Sequence, residues 1–210
     1  MALRGPRKTK SAALSDPAGA YWAVAFYAGL RAGEISALTW TDIRPNGIRV
    51  DESYCSVSHA MTTPKSRAGN RTAPAADRLY PILNTYGESC ANTGDADLVF
   101  PSTGVDWKGN PTKGIALSGD TMRARAGKAW NAAGLAAVTL HAARHTYASL
   151  MAASGVSLHE LSGFMGHSSI EMTAKRYAHL YDEQLFRAAE KLSAAIDRAD
   201  TSSRIAQIGS

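Results

Sequence analysis

The sequence HAARHT at residues 141–146, followed by GHSSIEMTAKRYAHL at residues 166–180, is the part of the chain that decides the fold. His141 and Arg144 stand three positions apart, so a helix projects both side chains from one face. An arginine fork matches two phosphate oxygens, and an imidazole accepts a proton near neutral pH. Tyr177 is a candidate nucleophile, provided that cations or a base lie near its phenol. Together these residue types suit attack on a phosphodiester without a metal ion.

Each of these residues also has an ordinary structural interpretation. Taken alone, HxxR is more typical of a polar surface helix, and a tyrosine near a helix end is usually a packing residue. His141 and His145 have the spacing of a zinc-binding helix, but the adjacent glutamate of HExxH and a third ligand are missing. We therefore expect neither a metal ion nor another cofactor.

A second basic motif, GLRAGE at residues 29–34, has Arg31 at its centre. Arg31 falls between two apolar helical segments, where an unpaired charge would be costly to bury, and Glu34 follows three residues later as a potential partner. Lys65 lies in PKSRAGN at residues 64–70, a sequence typical of a turn between extended segments. A solvated lysine is the ordinary alternative there.

The composition bounds the class of protein. The chain has 210 residues, a formal net charge of +5 and 45% hydrophobic residues, which suits one globular domain with a possible extension. A basic balance permits a polyanionic partner without proving one. No apolar stretch is long enough to span a bilayer, and no apolar segment of a signal peptide follows the basic start. Cys55 and Cys90 are expected to be reduced thiols, and the location to be cytoplasmic.

Capping residues and apolar periodicity predict a mostly helical chain. Asp16 and Pro17 begin the first helix, and a second covers residues 34–40. Alternating residues between 48 and 75 predict a small antiparallel sheet, and residues 75–86 return to helix. Later helices are expected after caps or capping boxes at these residues: Ser118, Thr139, Ser157 with Glu160, and Ser168 with Glu171. His167 then lies in the turn before the last of these, and a final helix covers residues 182–199.

Four motifs in order carry a resemblance to a known family: GLRAGEISAL, TTPKSRAGNRTAPA, TLHAARHTYAS and MGHSSIEMTAKRYAHL. Together they closely resemble the catalytic domain of the tyrosine recombinases, the phage integrase family, from about Asp16 to Leu180. The resemblance implies an α+β fold that is mostly helical, with a small antiparallel sheet on one edge.

The resemblance also implies roles in binding the scissile phosphate. Arg31 and Arg144 match the two arginines that clamp the phosphate in this family. Glu34 occupies the position of the supporting carboxylate beside the first arginine. His167 matches the second histidine, a phosphate donor.

Three further residues match positions that make and break bonds in this family. Tyr177 matches the nucleophile that forms a 3′-phosphotyrosyl link, and His141 matches the proton acceptor for that tyrosine. Lys65 matches the hairpin lysine that protonates the departing 5′ oxygen. Ten positions separate His167 from Tyr177, one more than in many relatives, which leaves the register of the tyrosine segment open. Tyr181 lies beyond the matched motif.

The expected organisation follows from the same match. Residues 1–14 are a basic arm or interdomain linker, and residues 15–181 are the tyrosine recombinase catalytic domain. Residues 182–199 form a C-terminal helix that either packs on its own domain or, as the resemblance favours, is exchanged between protomers, and residues 200–210 are a disordered tail. The N-terminal core-binding domain of the family has no room in this chain, so we expect either an excised catalytic domain or a short member.

The expected function is site-specific recombination of DNA, as an integrase of a phage or mobile element. Expected partners are double-stranded DNA at core attachment sites, further copies of the chain in a synaptic tetramer, and a directionality factor or host bending protein, with no membrane. Three alternatives stay open: a resolvase of chromosome or plasmid dimers, a tyrosine-type topoisomerase, and a DNA-binding regulator with an inactive site.

Overall fold

The first helix, α1 (Pro17–Tyr27), lies at the centre of the domain. In the computed structural model, which describes residues 16–63, 69–91, 93–102, 104, 115–181 and 189–194, it packs against four later helices. As predicted, Asp16 caps α1 by accepting a hydrogen bond from the Ala18 amide at 2.7 Å, and Pro17 takes the first turn. Tyr21, Val24 and Ala25 are fully buried, as expected for a helix that is apolar on every side.

Helix α1 is followed by further helices. The described helices after it are α2 (Ala32–Ala37), α3 (Leu79–Gly87), α4 (Gly119–Ala132), α5 (Leu140–Ala153), α6 (Leu158–Met165) and α7 (residues 170–181), with a 3-10 turn at Trp40–Asp42. The predicted caps of α4, α5 and α6 are confirmed, because Ser118, Thr139 and Ser157 each accept a backbone amide of the first turn. None of the described helices has the length and apolarity that crossing a membrane requires.

Two small antiparallel sheets lie beside α2. Strands β1 (Ile43–Arg44), β2 (Gly47–Val50) and β5 (Arg71–Ala73) form one sheet in the order β1-β2-β5, and β3 (Ser53–Cys55) pairs with β4 (Ala60–Thr62). The register places Val50 opposite Arg71, which brings Arg71 close to the helical layer. The predicted α+β class with a small antiparallel sheet is confirmed.

The buried side chains form a large core and a smaller one. The large core surrounds α1 and includes Leu30, Ile48, Leu83 and Phe100. The smaller core lies between α5, α6 and α7 and consists of these residues: Tyr147, Ala148, Ala152, Leu161, Met165 and Tyr177. The chain segment that ends in Tyr177 therefore packs on its own core, separate from that of α1.

Several predicted boundaries were wrong. The second helix starts at Ala32 and ends at Ala37, earlier than predicted, and α3 starts at Leu79 after a turn. Helix α7 starts at residue 170, so Ser168 lies outside its first turn. Its hydroxyl donates to the sulfur of Met172, and Glu171 bonds Ser169 instead.

Other predictions fall outside the described residues. These are the arm at 1–14, the hairpin tip at 64–68 with Lys65, and the tail at 200–210. Of the predicted final helix at 182–199, the structure describes residues 189–194, which are helical.

Candidate active site

The carboxylate of Glu34 joins three arginines from three distant parts of the chain. It stands on the first turn of α2 and accepts hydrogen bonds from the backbone amide of Arg31 at 2.7 Å and from its Nη1 at 2.9 Å. Arg71 of β5 donates from both terminal nitrogens, at 3.0 and 2.9 Å, in a bidentate pair. Nη1 of Arg144 on α5 lies 3.8 Å from the same carboxylate. We call these four residues the arginine cluster.

Neighbouring charges, rather than burial, determine the protonation state of the Glu34 carboxyl. Burial alone would raise the pKa of this carboxyl, but the hydrogen bonds and charge of Arg71, with those of Arg31, outweigh it and lower the pKa to about 2. Glu34 is therefore ionised at neutral pH. It supplies the negative charge that lets cations gather in a largely buried place.

Arg144 is buried and held by main-chain oxygens. Its Nη1 donates to the carbonyl of Gly29 at 2.6 Å, and its Nη2 donates to the carbonyl of Met165. Burial, together with the charge of Arg31, lowers the pKa of Arg144 to about 10, which still leaves it protonated at neutral pH. Gly29 has a φ of +67°, and a Cβ there would lie 2.2 Å from the ring of Tyr147, so glycine is required for this contact.

Arg31 differs from Arg144 because 43% of its side chain is exposed. Its Nη2 donates to the carbonyl of Gly166 at 2.9 Å. Gly166 ends α6 in the left-handed conformation, and this turn places His167 beside the cluster. His167 is hydrogen-bonded through Nδ1 to Thr173 at 2.7 Å, while its Nε2 lies 3.5 Å from Nη2 of Arg144. Burial and the charges of Arg144 and Arg31 lower the pKa of His167 to about 4, so the ring is neutral at pH 7.

A cleft of about 1060 Å³ opens in front of these groups. Its charged and imidazole lining consists of Arg31, Asp120, Arg123, His141, Arg144, His145, His167, Lys175 and Arg176. Five cations against a single carboxylate make the cleft electropositive. It therefore suits a polyanion, and its fixed cations suit a phosphate.

Tyr177 lies at the edge of this cleft, on α7. Its side chain is buried, and its hydroxyl is hydrogen-bonded to Nδ1 of His145. Nε2 of His145 lies 2.7 Å from Nε2 of His141, and Arg176 contacts both rings. We call His141, His145, Arg176 and Tyr177 the tyrosine cluster.

The resemblance gives His141 the role of proton acceptor for Tyr177, but the imidazole hydrogen-bonded to the phenol is that of His145. His145, one helical turn further along α5, occupies the position next to the phenol, and His141 stands behind it. The reason is geometric: the side chain of the later residue on α5 reaches α7 where Tyr177 packs into the small core. The tyrosine itself agrees with the motif, since Tyr181 donates its hydroxyl to the carbonyl of Val156 at 2.7 Å instead.

Burial raises the pKa of Tyr177, against the opposing charges of Arg176 and Arg144. The phenol is therefore protonated at neutral pH, and a phenol in that state needs a proton acceptor to become a nucleophile. Burial lowers the pKa of His145, and the charges of His141 and Arg176 lower it further. A neutral imidazole thus stands beside a neutral phenol.

Comparison with known proteins identifies the family. The model of the phage integrase family matches residues 7–184, most of the chain. The chain belongs to the phage integrase family. Membership agrees with the order and placement of the motifs that line the cleft.

Relatives within the phage integrase family come from several kinds of element. The chain is 29% identical over 204 residues to a XerC-like tyrosine recombinase of Caldanaerobacter subterraneus subsp. tengcongensis, covering 89% of this chain and 52% of that protein. It is 24% identical over 185 residues to the ICEBs1 integrase of Bacillus subtilis, covering 82% of this chain and 47% of that protein. The chain thus spans about half the length of these relatives.

Solved structures support the same fold. The Tn1549 transposon integrase, determined in complex with circular intermediate DNA, superposes with a TM-score of 0.62 at 23% identity. That match covers 90% of this chain and 67% of the other. XerA recombinase gives a TM-score of 0.57 at 20% identity.

The structure adds three residues that the motif analysis of this phage integrase domain did not single out: Arg71, His145 and Arg176. Arg71 lay inside a quoted motif, but nothing local distinguishes it from Arg67 as a partner for a carboxylate 37 positions earlier. His145 was considered only as a metal ligand. Among the described residues no three His, Cys, Asp or Glu side chains converge on a metal site, so His141 and His145 form a pair without a third ligand.

Proposed function

We propose that this domain cleaves and rejoins DNA as a site-specific tyrosine recombinase, through a 3′-phosphotyrosyl link to Tyr177 and without a metal ion. The observation that carries the proposal is the joint placement of Arg31, Arg144 and His167 on one cleft. Tyr177 lies beside that cleft, behind His145. Membership in the phage integrase family supports the same chemistry.

The arginine cluster suits the charge that develops during the reaction. Attack at phosphorus adds negative charge to the non-bridging oxygens, and cations fixed beforehand stabilise it more than they stabilise the ground state. Arg144 is fixed by two carbonyls, and Arg31 is fixed by Glu34 yet open to the cleft. The neutral ring of His167 adds a potential hydrogen-bond donor without another charge.

In the proposed step the phenol of Tyr177 loses its proton to a neighbouring imidazole, its oxygen bonds to phosphorus, and the bond from phosphorus to the 5′ oxygen breaks. The departing oxygen takes a proton from Lys65, a role assigned by resemblance because Lys65 lies outside the described residues. The tyrosyl ester keeps the energy of the broken bond. A 5′ hydroxyl of another strand can then reverse the step, which is why no nucleotide cofactor is needed.

The proposed biological role is integration of phage or mobile-element DNA into a bacterial chromosome. The likeness to the ICEBs1 integrase and to the Tn1549 transposon integrase supports this role. The XerC-like relative favours a second candidate, resolution of chromosome or plasmid dimers. Under either role we propose double-stranded core sites as substrate, a synaptic tetramer on DNA, a directionality or bending partner, and the host cytoplasm as location.

A covalent capture experiment tests the chemistry without knowledge of the target. The protein is incubated in EDTA with a pool of nicked duplexes whose arms are randomised, so that a cleaved strand loses its short end and the adduct accumulates. We expect a denaturation-resistant adduct with the wild type and none with Tyr177→Phe. An adduct that survives Tyr177→Phe would contradict the assignment of the nucleophile, and dependence on added metal would contradict the mechanism.

The captured sequences separate the two roles. Enrichment of sequences found at the ends of a mobile element favours an integrase, and enrichment of a site in the replication terminus favours a resolvase. Binding to a captured duplex should weaken steeply as salt rises, because phosphate contacts release counterions. A gel-shift titration at several salt concentrations measures that slope.

A further inference from the structure

The hydroxyl of Tyr177 has a partner to which neither the motif nor the family match gives a role. The side chain of Tyr177 is only 2% exposed, and its hydroxyl is hydrogen-bonded to Nδ1 of His145. The two rings lie 5.9 Å apart between centroids, inclined at 54°. Because the phenol is buried, His145 is the polar group placed to receive its proton.

A second imidazole, that of His141, lies between His145 and the open cleft. Nε2 of His145 lies 2.7 Å from Nε2 of His141, and the two rings meet edge to face with centroids 4.1 Å apart. His141 is exposed and lines the cleft. The path therefore runs from a buried hydroxyl, through a half-buried ring, to an exposed ring.

We propose that His145 is a catalytic residue that accepts the proton of Tyr177 directly and passes a proton on to His141. The inference rests on the recombinase function proposed above. As the phenol oxygen bonds to phosphorus, its proton moves to Nδ1 of His145, and the proton on Nε2 of His145 moves to Nε2 of His141. The bond from phosphorus to the 5′ oxygen breaks, and that oxygen takes a proton from the ammonium of Lys65. His145 ends the step neutral, and His141 ends it as a cation.

The relay requires one tautomer of His145 at rest. Nδ1 must be free to accept from the phenol, so the ring proton must be on Nε2, pointing at His141. Arg176 can only donate, and its Nη1 contacts both Nε2 atoms, that of His141 at 3.1 Å and that of His145 more closely. The relay therefore also requires the guanidinium of Arg176 to turn toward His141, because an N–H on Nε2 of His145 cannot face another donor. The opposite tautomer, with the proton on Nδ1 and Arg176 donating to Nε2 of His145, would make Tyr177 an acceptor. It would exclude the proposed transfer.

Nitrogen chemical shifts of the histidine rings decide between the tautomers in the wild-type protein without DNA. With ¹⁵N-labelled protein and the His145→Asn spectrum for assignment, we expect the Nε2-protonated form of His145 at pH 7. The Nδ1-protonated form, or an imidazolium, would overturn the proposal.

Kinetics on a captured duplex test the transfer itself. In His145→Asn the amide oxygen takes the place of Nδ1 and keeps a hydrogen bond to Tyr177, but it cannot take a proton. We expect adduct formation to slow by about 100-fold or more, as for loss of a general base. His159→Asn, on the exposed face of α6, is the matched control and should keep the wild-type rate.

Two further measurements separate proton transfer from a structural role. Added imidazole should restore part of the rate of His145→Gly. A fluorinated tyrosine at position 177, whose phenol is more acidic, should shrink the defect of His145→Asn. A defect of equal size with both phenols, without rescue, would overturn the proposal. So would a faster His145→Asn, which would mean that His145 restrains the tyrosine.

The two proposals fail in different ways. If the wild type forms no adduct with any duplex of the pool, the recombinase function fails, and the ring tautomer still decides whether His145 is able to accept from Tyr177. If the wild type forms the adduct and His145→Asn forms it at the same rate, the function stands and the relay fails.

Discussion

In the arginine cluster, one buried carboxylate and five main-chain carbonyls fix the guanidinium groups of Arg31, Arg71 and Arg144. In the tyrosine cluster, by contrast, the hydroxyl of Tyr177 has one hydrogen bond, to an imidazole, and its helix rests on a core of six residues. The first cluster belongs to α2, β5 and α5 around the main core. The second spans α5 and α7, beside the small core.

This difference suits the different requirements of the two groups of residues: rigidity for those that stabilise charge and mobility for a nucleophile. Groups that stabilise charge gain from being immobile, because reorganising them during the reaction would cost energy. A nucleophile must approach phosphorus and later release it, so a small core with few contacts suits the helix that carries it. The predictions below test whether the two clusters really differ in this way.

The largest effect is expected from Glu34→Gln. The variant keeps the shape of the side chain but leaves Arg71 and Arg144 buried without a counter-charge, which should lower the free energy of unfolding by about 3–5 kcal/mol. Urea denaturation followed by circular dichroism measures the change. Asp120→Asn, which breaks an exposed pair with Arg123, is the control and should change stability by less than about 0.5 kcal/mol. Equal effects would mean that the arginine cluster is not coupled through Glu34.

Glu34 should also make the stability of the domain fall as the pH becomes acidic. The pKa of Glu34 is about 2 in the folded protein and 4.5 for a free side chain. Its stabilisation is therefore complete above pH 4.5 and is lost as the pH falls toward 2. Unfolding curves measured across that pH range should show this loss of stability in the wild type and not in Glu34→Gln.

A somewhat smaller loss is expected from Gly29→Ala, which disturbs the carbonyl that holds Arg144. The added methyl would meet the ring of Tyr147 in a conformation that alanine rarely adopts, at a cost of about 3 kcal/mol. Gly127→Ala is the matched control, because nothing lies within 4 Å of the added atom in α4. Helix propensity should make that variant more stable by about 0.5–1 kcal/mol. Thermal unfolding measures the melting temperature of both variants. Melting temperatures that shift in the same direction would contradict the interpretation.

Leu161→Ala probes the tyrosine cluster through its small core. Removing this buried side chain should cost about 2–3 kcal/mol. Because the core is small, part of the loss should appear as local opening of α7. Hydrogen exchange should then quicken in residues 170–181 more than in α1. Leu83→Ala in the main core is the control and should quicken both together. Uniform exchange in Leu161→Ala would mean that the domain has one cooperative unit.

The smallest effect is expected at His167, between the two clusters. Its pKa is about 4 when folded and 6.5 when free, so the unfolded chain binds more protons between these values. Stability should therefore rise with pH across that window, and His167→Asn should flatten the rise. Denaturation at pH 4.5 and at pH 7 checks this. An unchanged slope would mean that neither burial nor the charge of the arginine cluster lowers the pKa of His167.

Much of this fold could be predicted from the sequence. Asp16, Ser118, Thr139 and Ser157 predicted helix starts correctly, because capping is a local effect that sequence encodes directly. The partnership of Arg31 with Glu34 was also local, three residues apart on one turn. The boundaries that were wrong, at the second helix and at α7, depend on tertiary packing that competes with propensity.

The site contacts that sequence missed are all long-range. Arg71 reaches Glu34 only because β5 pairs with β2, and no local pattern records that register. His145 contacts Tyr177 because α7 lies along α5 at a particular height, which motif spacing does not specify. The motifs singled out Arg31, Glu34 and Arg144 of the first cluster and His141 and Tyr177 of the second. Tertiary structure added the remaining members and decided which imidazole faces the phenol.

The arginine cluster also has a consequence for the newly made chain. Arg31 bonds the carbonyl of a residue 135 positions later, and Arg144 bonds one 115 positions earlier. Contacts so distant form only after the entropy of closing long loops has been overcome. A ribosome-bound chain that has emerged only as far as α4 holds Arg31 and Glu34 but has neither Arg144 nor the turn at Gly166. The proposed phosphate site is therefore completed only after α5 and the turn at Gly166 have been synthesised and have packed against the earlier part of the chain.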